Sequence, residues 1–132
     1  SLVGSEMCIR DRDYLETILM LNQRMGRVRS IDVVNELGYT KASVSIAMKK
    51  LRENGYIAVD GEGNLTLLEP GREIAERIYS RHRLLTHFFV QLGVDEEVAA
   101  EDACKAEHIL SEQTLEKIRE YALLHDAQDS VK

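Results

Sequence analysis

Residues 30–55 read SIDVVNELGYTKASVSIAMKKLRENG, and this stretch decides the fold of the N-terminal half. Ser30 is a suitable N-cap for a short helix that stops at Gly38, and Thr40 caps a second helix over 41–54. The apolar residues that these two helices would turn inward are Ile31, Val34, Leu37, Val44, Ala47, Met48 and Leu51. A short helix, a three-residue turn and a second helix together indicate a helix-turn-helix unit.

The segments on either side predict the remainder of a winged helix-turn-helix. Upstream, apolar residues recur at helical spacing over 12–25, which predicts a first helix that ends at Gly26. Val28 and Arg29 would follow as a short strand. Downstream, two β-rich runs at 56–59 and 64–68 flank the turn residues DGEG, which predicts a hairpin that forms the wing.

The C-terminal half reads as helices alone. Pro70 opens a segment over 70–92, Asp95 caps a helix that extends to about Leu110, and Ser111 starts a last helix to about His125. The fold class is therefore mainly α. We expect a winged helix-turn-helix DNA-binding domain over 12–69, a helical dimerisation and metal-binding domain over 70–125, and a frayed tail over 126–132.

The opening stretch SLVGSEMCIRDR shows no apolar period and resembles translated adapter sequence. We expect a foreign or disordered leader at 1–11 and exclude it, with Cys8, from functional reasoning.

Composition narrows the class of protein. The chain has 132 residues, of which 44% are hydrophobic and 30% charged, a balance typical of a globular domain. No apolar run approaches the roughly 18 residues that span a bilayer, so no membrane association is expected. Two cysteines do not make a disulfide framework, and a reducing cytoplasmic location follows as the expectation.

The net charge of −6 is unevenly distributed. Residues 22–61 carry seven Lys or Arg against four Asp or Glu, whereas residues 93–132 carry four against eleven. This asymmetry favours a half that faces nucleic acid and an acidic half with another role.

The second helix of the helix-turn-helix would lie in the major groove of double-stranded DNA. Its outward positions combine small hydroxyl side chains, which permit close approach, with lysines for phosphates. The candidate DNA-binding residues are Lys41, Ser43, Ser45, Ile46, Lys49 and Lys50. A helix-turn-helix also occurs in protein-interaction modules, so a metal-free interaction module remains an alternative.

Three of the predicted helices carry side chains suited to a divalent transition metal. Asp13 and Glu16 lie three residues apart on the first helix, and His82 lies on the apolar stripe of the long helix. The candidate metal ligands are Asp13, Glu16, His82, Cys104, Glu107 and His108. Six such groups suffice for an octahedral shell. No phosphate loop, nucleophile elbow or paired-cysteine motif is present, so neither an enzyme nor a small organic substrate is expected.

The stretches RDYLETILML, SRHRLLTHFF, GVDEE and AEDACKAEHILS resemble the diphtheria toxin repressor family of metal-dependent transcriptional regulators, over about Arg12 to His125. The manganese transport regulator branch is more similar, because Asp13 and Glu16 stand where that branch has an aspartate and a glutamate. The resemblance implies a homodimer that binds a palindromic operator and represses genes of metal-ion homeostasis when metal is bound.

One position departs from the manganese branch. Cys104 stands where that branch has a glutamate, and cysteine is the choice of the iron branch. A thiolate favours softer metals and hard Mn²⁺ prefers carboxylates, so Mn²⁺ is the first candidate and Fe²⁺ the second. An alternative from another class is a thiol redox-sensing winged-helix regulator that uses Cys104. For the dimer interface we expect Phe88, Phe89, Leu92, Leu115 and Ile118.

Overall fold

The computed structural model describes residue 7 and residues 9–131, and it is mainly helical with one two-stranded sheet. The elements in chain order are α1 (Ile9–Met25), α2 (Ser30–Leu37), α3 (Lys41–Glu53), β1 (Ile57–Val59), β2 (Leu65–Leu67), α4 (Glu69–Gln91), α5 (Glu96–Ala106) and α6 (Glu112–Val131). The chain divides within α4 into two compact units, the first ending at Arg77 and the second beginning at Ile78. The predicted fold class is confirmed.

The helix-turn-helix of the first unit forms as predicted, with one change at its start. Thr40 caps α3, since its hydroxyl oxygen accepts a hydrogen bond from the backbone N–H of Ser43 at 3.1 Å. The N-cap of α2 is Arg29, however, and Ser30 is already helical. The carboxylate of Asp32, at the third helical position, accepts a hydrogen bond from the Arg29 backbone N–H at 2.8 Å and so ties the start of α2 to its N-cap.

The inward face of α2 also differs from the prediction. Val33 is fully buried, whereas Ile31 is 41% exposed and Val34 and Leu37 are half-buried. With 3.6 residues per turn, Ile31 and Val33 lie on nearly opposite sides of the helix, so burial of one exposes the other. The predicted inward residues of α3 are confirmed: Val44, Ala47, Met48 and Leu51 are buried.

The wing is a short antiparallel hairpin in which Ile57 pairs with Leu67 and Val59 with Leu65. Buried Leu65 and Leu67 alternate with exposed Thr66, as in a strand with one face on the core. The predicted strand at Val28 and Arg29 is not formed. Val28 is buried and its carbonyl accepts one hydrogen bond from the Leu65 N–H at 2.7 Å.

Helix α1 begins at Ile9, three residues before the predicted start. Asp11 is buried at 7% exposure and its carboxylate lies 3.0 Å from the Nζ atom of Lys50 on α3. This ion pair to α3 therefore stabilises the first turn of α1, which lacks the regularly spaced apolar residues found later in the helix. Residues 1–6 and Cys8 lie outside the described residues, so a foreign or disordered leader stays a prediction.

The second unit has its own small core, built from all three of its helices. Leu85 of α4, Ala103 of α5 and Leu115 of α6 are buried there, and partly buried side chains surround them. Those surrounding side chains are Leu84, Phe89, Ala106, Leu110 and Ile118. Leu115 was expected at a dimer interface, and that expectation is wrong, because its side chain is used inside the protomer.

Two helix ends in this unit differ from the predictions. Helix α5 ends at Ala106, four residues early, and a turn follows it. Helix α6 continues past His125 to Val131. Asp126, the first residue of the predicted frayed tail, accepts a hydrogen bond from the Gln91 side chain at 2.7 Å and lies 3.0 Å from His87 Nε2. These contacts with α4 extend α6 beyond its apolar pattern.

Within the residues that the structure describes, none of the helices is both long and apolar enough to cross a membrane.

Candidate DNA-reading face and metal-donor residues

Helix α3 presents a continuous exposed face to its surroundings. Its buried residues anchor the opposite side, so that six positions project outward at helical spacing. Before Leu51 these six positions are Lys41, Ala42, Ser45, Ile46, Lys49 and Lys50, and Arg52 and Glu53 in the last turn are exposed as well. No acidic residue occurs between Lys41 and Arg52. The first three turns of α3 can therefore approach a polyanion without repulsion from an acidic side chain of these turns.

Two of the predicted DNA-binding residues have additional partners inside the unit. Ser43 is half-buried and its hydroxyl accepts a hydrogen bond from the Thr40 hydroxyl at 3.0 Å, so it takes part in the α3 cap. The amino group of Lys50 is paired with Asp11, although 58% of its side chain is exposed. The more open positions of the face are thus Lys41, Ser45, Ile46 and Lys49.

The wing turn is ordered by the carboxylate of Asp60. This carboxylate accepts hydrogen bonds from the backbone N–H groups of Asn64 (2.9 Å) and Glu62 (2.8 Å) and from the Asn64 side-chain amide (3.0 Å). The bonds from the Asn64 backbone and side chain hold the pKa of Asp60 below its ordinary value of 3.8. Asp60 is therefore ionised at neutral pH, and its turn residues form a fixed wing tip.

The predicted ligands of the first unit lie on the N-terminal half of α1. Asp13 is half-buried and Glu16 is buried at 7% exposure, within a helix whose Tyr14, Leu15 and Ile18 form part of the core. A carboxylate at this depth requires hydrogen-bond donors or a cation to offset the cost of its desolvation.

The predicted ligands at the end of α5 do not all lie on the helix. Cys104 is exposed in the last turn of α5, Glu107 is the C-cap, and His108 follows it in the turn. Glu107 keeps helical backbone angles (φ −54°, ψ −34°), so the helical spacing from Cys104 to Glu107 is retained. The Glu107 carboxylate oxygen Oε1 lies 3.1 Å from His108 Nδ1, so these two side chains are in contact.

Glu107 has a second partner that the sequence did not predict. Its side chain is 2% exposed, and its Oε2 atom accepts a hydrogen bond from the Arg81 guanidinium at 3.3 Å. Arg81 also pairs with Glu112 at the start of α6. The sequence offered little indication of this ion pair. It showed only that Arg81 is the residue before the candidate ligand His82 on α4.

His82 is half-buried on α4 and has a defined ring orientation. Its Nε2 atom lies 3.1 Å from the carbonyl oxygen of Ala100 on α5. A carbonyl only accepts, so Nε2 carries the proton and Nδ1 is the nitrogen that would ligate a metal. Histidine ligands commonly donate their other N–H to a backbone carbonyl in this way.

The chemistry of this donor set fits a divalent transition metal. The second unit contributes imidazole, thiol and carboxylate groups, and the first contributes two carboxylates, one of them buried. Over residue 7 and residues 9–131, no group of three or more His, Cys, Asp or Glu side chains is placed to hold a metal ion. The complete set of six ligands therefore stays a prediction.

Comparison with known proteins relates both halves of the chain to one family. Residues 8–65 match the model of the N-terminal DNA-binding domain of iron-dependent repressors, and residues 68–124 match their metal-binding and dimerisation domain. An uncharacterised HTH-type transcriptional regulator of Methanocaldococcus jannaschii is 35% identical over 109 residues, which are 81% of this chain and 87% of that protein. The chain belongs to the iron-dependent repressor family.

Further relatives place this chain in the manganese regulator branch of the family. The HTH-type transcriptional regulator MntR of Bacillus subtilis is 32% identical over 120 residues, covering 91% of this chain and 84% of that protein. A solved manganese-dependent transcriptional repressor in complex with manganese superposes with a TM-score of 0.76 and 27% identity. That match covers 85% of this chain and 52% of the solved chain, so this repressor spans about half the length of that structure. The predicted resemblance is confirmed.

Proposed function

We propose that this chain is a metal-activated, DNA-binding transcriptional repressor that controls metal-ion homeostasis in the cytoplasm. The observation that carries the proposal is the pairing, in one chain, of an exposed lysine-bearing face on the first three turns of α3 with a buried carboxylate beside a histidine at the end of α5. The first feature suits DNA and the second suits a divalent cation. The proposed role is regulatory, and no catalytic group is assigned.

The DNA-binding half supports an operator complex. Lys41 and Lys49 are exposed on α3 and would contact phosphates, while Ser45 and Ile46 between them would face base edges. The hairpin from β1 to β2 would rest on the DNA backbone. A homodimer presents two such helices, so the proposed operator is palindromic.

The metal-binding half supports a site for Mn²⁺ first and Fe²⁺ second. We assign the ligand set predicted from the sequence: Asp13, Glu16, His82, Cys104, Glu107 and His108. The thiolate of Cys104 is the one soft donor of this set, and it favours Fe²⁺ more than an all-carboxylate and imidazole site would.

The proposed homodimer is supported by apolar side chains that the second unit leaves exposed. Leu92 is 61% exposed, Tyr121 54%, Leu123 63% and Leu124 66%. Several exposed apolar residues in one small unit are typical of a surface that a partner covers. Phe88 lies beside Tyr121, with ring centroids 5.9 Å apart, and would join the same interface.

We propose that metal acts by joining donors from both units. A metal bound by ligands from both units would restrict the two units to one arrangement, and it would offset the charge of the carboxylates Asp13 and Glu16, which lie three residues apart on α1. The gain in operator affinity cannot exceed the preference of the metal for that arrangement. Allosteric coupling of this kind amounts to about 5- to 150-fold in affinity.

Fluorescence anisotropy tests the proposal. A labelled duplex selected from a random pool by the full chain is titrated in chelator, in Mn²⁺, in anaerobic Fe²⁺ and in Zn²⁺. We expect tight binding in Mn²⁺ or Fe²⁺ and at least fivefold weaker binding in chelator, the lower end of the range of about 5- to 150-fold. Equal binding under all four conditions would contradict metal activation.

Two variants sharpen this test. Glu107→Gln removes a proposed ligand, and metal should no longer strengthen DNA binding. Glu101→Gln removes an exposed carboxylate from the same helix and should retain the full response. A peroxide response that depends on Cys104, without any metal response, would instead support the thiol redox sensor.

A further inference from the structure

We propose that Ile46 determines operator specificity by packing against the C5-methyl group of a thymine in the major groove. The inference rests on the proposed DNA-binding function and refines it, because it assigns a base to one side chain. It follows from the exposure of Ile46, from its neighbours on α3 and from the chemistry of base edges.

Ile46 is unusually exposed for its residue type. Its side chain is 70% exposed, compared with 51% for Met25 and 41% for Ile31 elsewhere in the first unit. Isoleucine is among the residues most often buried, and the fold leaves most of the surface of this one exposed. A single exposed apolar residue needs no special explanation by itself, so the surroundings decide the assignment.

The neighbours of Ile46 select DNA as the partner. Ala42 lies one turn before it and Ser45 beside it, both exposed and both small enough to permit close approach. Lys41 and Lys49 flank this strip, and no acidic residue interrupts it. An apolar protein partner would require a contiguous apolar patch, whereas one apolar side chain between lysines matches a polyanion that carries isolated methyl groups.

The base chemistry then identifies the group that Ile46 would contact. In the major groove of unmodified DNA the one apolar group on a base edge is the thymine methyl, and the other edge groups donate or accept hydrogen bonds. Isoleucine offers no donor or acceptor, so against any other base edge it would desolvate a polar group without replacing its hydrogen bond. Its branched Cβ also restricts it to one main rotamer in a helix, which fixes its position before binding.

A uracil scan tests the assignment directly. The duplex selected from the random pool is resynthesised with each thymine replaced in turn by uracil, which lacks only the methyl group. Anisotropy titrations are run in the activating metal. We expect one thymine in each half-site at which uracil weakens binding about fourfold, the loss that corresponds to one buried methyl group.

Two variants connect that position to the side chain. Ile46→Ala should bind the original duplex about as weakly as the wild type binds the uracil duplex, and uracil at that position should then have no further effect. Ile31→Ala is the matched control, because Ile31 is an exposed isoleucine on α2, and it should retain the full uracil effect. Circular dichroism confirms that both variants fold.

The outcomes separate this inference from the proposed function. Failure to select any duplex would overturn the repressor function and the assignment together. A duplex that binds tightly but has no uracil-sensitive thymine would overturn the role of Ile46 alone. So would a uracil effect of the same size in wild type and Ile46→Ala.

Discussion

Arg81 and Glu107 form an ion pair at 3.3 Å in which the side chains are only 13% and 2% exposed. A carboxylate buried to this degree is strongly destabilised unless a cation compensates it. Arg81 supplies that cation from α4, while His108 lies on the other carboxylate oxygen. The pair thus holds the side chain of a proposed metal ligand in place inside the second unit.

The first prediction concerns this pair. Arg81→Gln leaves Glu107 buried without its guanidinium, and we expect the free energy of unfolding of the metal-free protein to fall by about 3–5 kcal/mol. Urea denaturation in chelator measures the change. Because a bound metal supplies a replacement cation, Mn²⁺ should stabilise Arg81→Gln more than it stabilises the wild type.

Arg83→Gln serves as the control for this prediction. Arg83 is exposed two residues along the same helix and its guanidinium lies 5.6 Å from the centre of the Tyr79 ring, so its loss should change stability by no more than about 1 kcal/mol. If Arg81→Gln were as stable as this control, the compensation of Glu107 by Arg81 would be refuted.

The second prediction concerns the thiol of Cys104. Co²⁺ bound to the wild type should give the near-ultraviolet charge-transfer band of a thiolate–metal bond, and Cys104→Ser should lose it. Cys8→Ser, which removes the only other cysteine, should keep the band. Because Co²⁺ binding releases the thiol proton of Cys104, the affinity of the protein for Co²⁺ should fall as the pH is lowered from about 8 to about 6. A band unaffected by Cys104→Ser would exclude this ligand.

The third prediction concerns the packing of α4 against the wing. Gly71 is buried, and a Cβ atom there would lie 2.2 Å from the backbone carbonyl oxygen of Tyr56. Gly71→Ala must therefore push the start of α4 away from Tyr56, and we expect a loss of about 1–3 kcal/mol in stability. Gly61→Ala is the control, since nothing lies within 4 Å of its Cβ position. Thermal denaturation compares the two, and equal melting temperatures would contradict the close contact.

The fourth prediction concerns the pH dependence of the wing turn. The pKa of Asp60 is lower in the folded chain than its ordinary value of 3.8, chiefly because of the Asn64 backbone N–H. The stabilising effect is thus present above pH 3.8 and is lost as the pH falls through the lower folded value. An NMR titration of the Asp60 carboxyl should give a midpoint below 3.8. In the control variant Asp60→Asn, the amide signals of Glu62 and Asn64 should no longer change with the titration of this carboxyl. A wild-type midpoint above 3.8 would refute the bonding pattern.

Patterns confined to a few residues were sufficient for much of the fold. The cap at Thr40, the buried residues of α3 and the hairpin after it were predicted correctly, because capping, helical spacing and turn residues act over four to seven positions. Predictions failed where distant residues determine the outcome. The start of α1 depends on the pair of Asp11 with Lys50, 39 residues away, and the end of α6 depends on contacts with α4.

The candidate site divides in the same way. Residue types at helical spacing identified the possible donors on α1, on α4 and at the end of α5, together with the outward face of α3, since residues three or four apart share one side of a helix. Only the tertiary structure revealed that Arg81 neutralises Glu107 across 26 residues, that Ala100 orients His82, and that Leu115 belongs to the core of the protomer. Such pairings depend on how helices pack, because burial makes each charge require a partner, and no local pattern specifies which partner it meets.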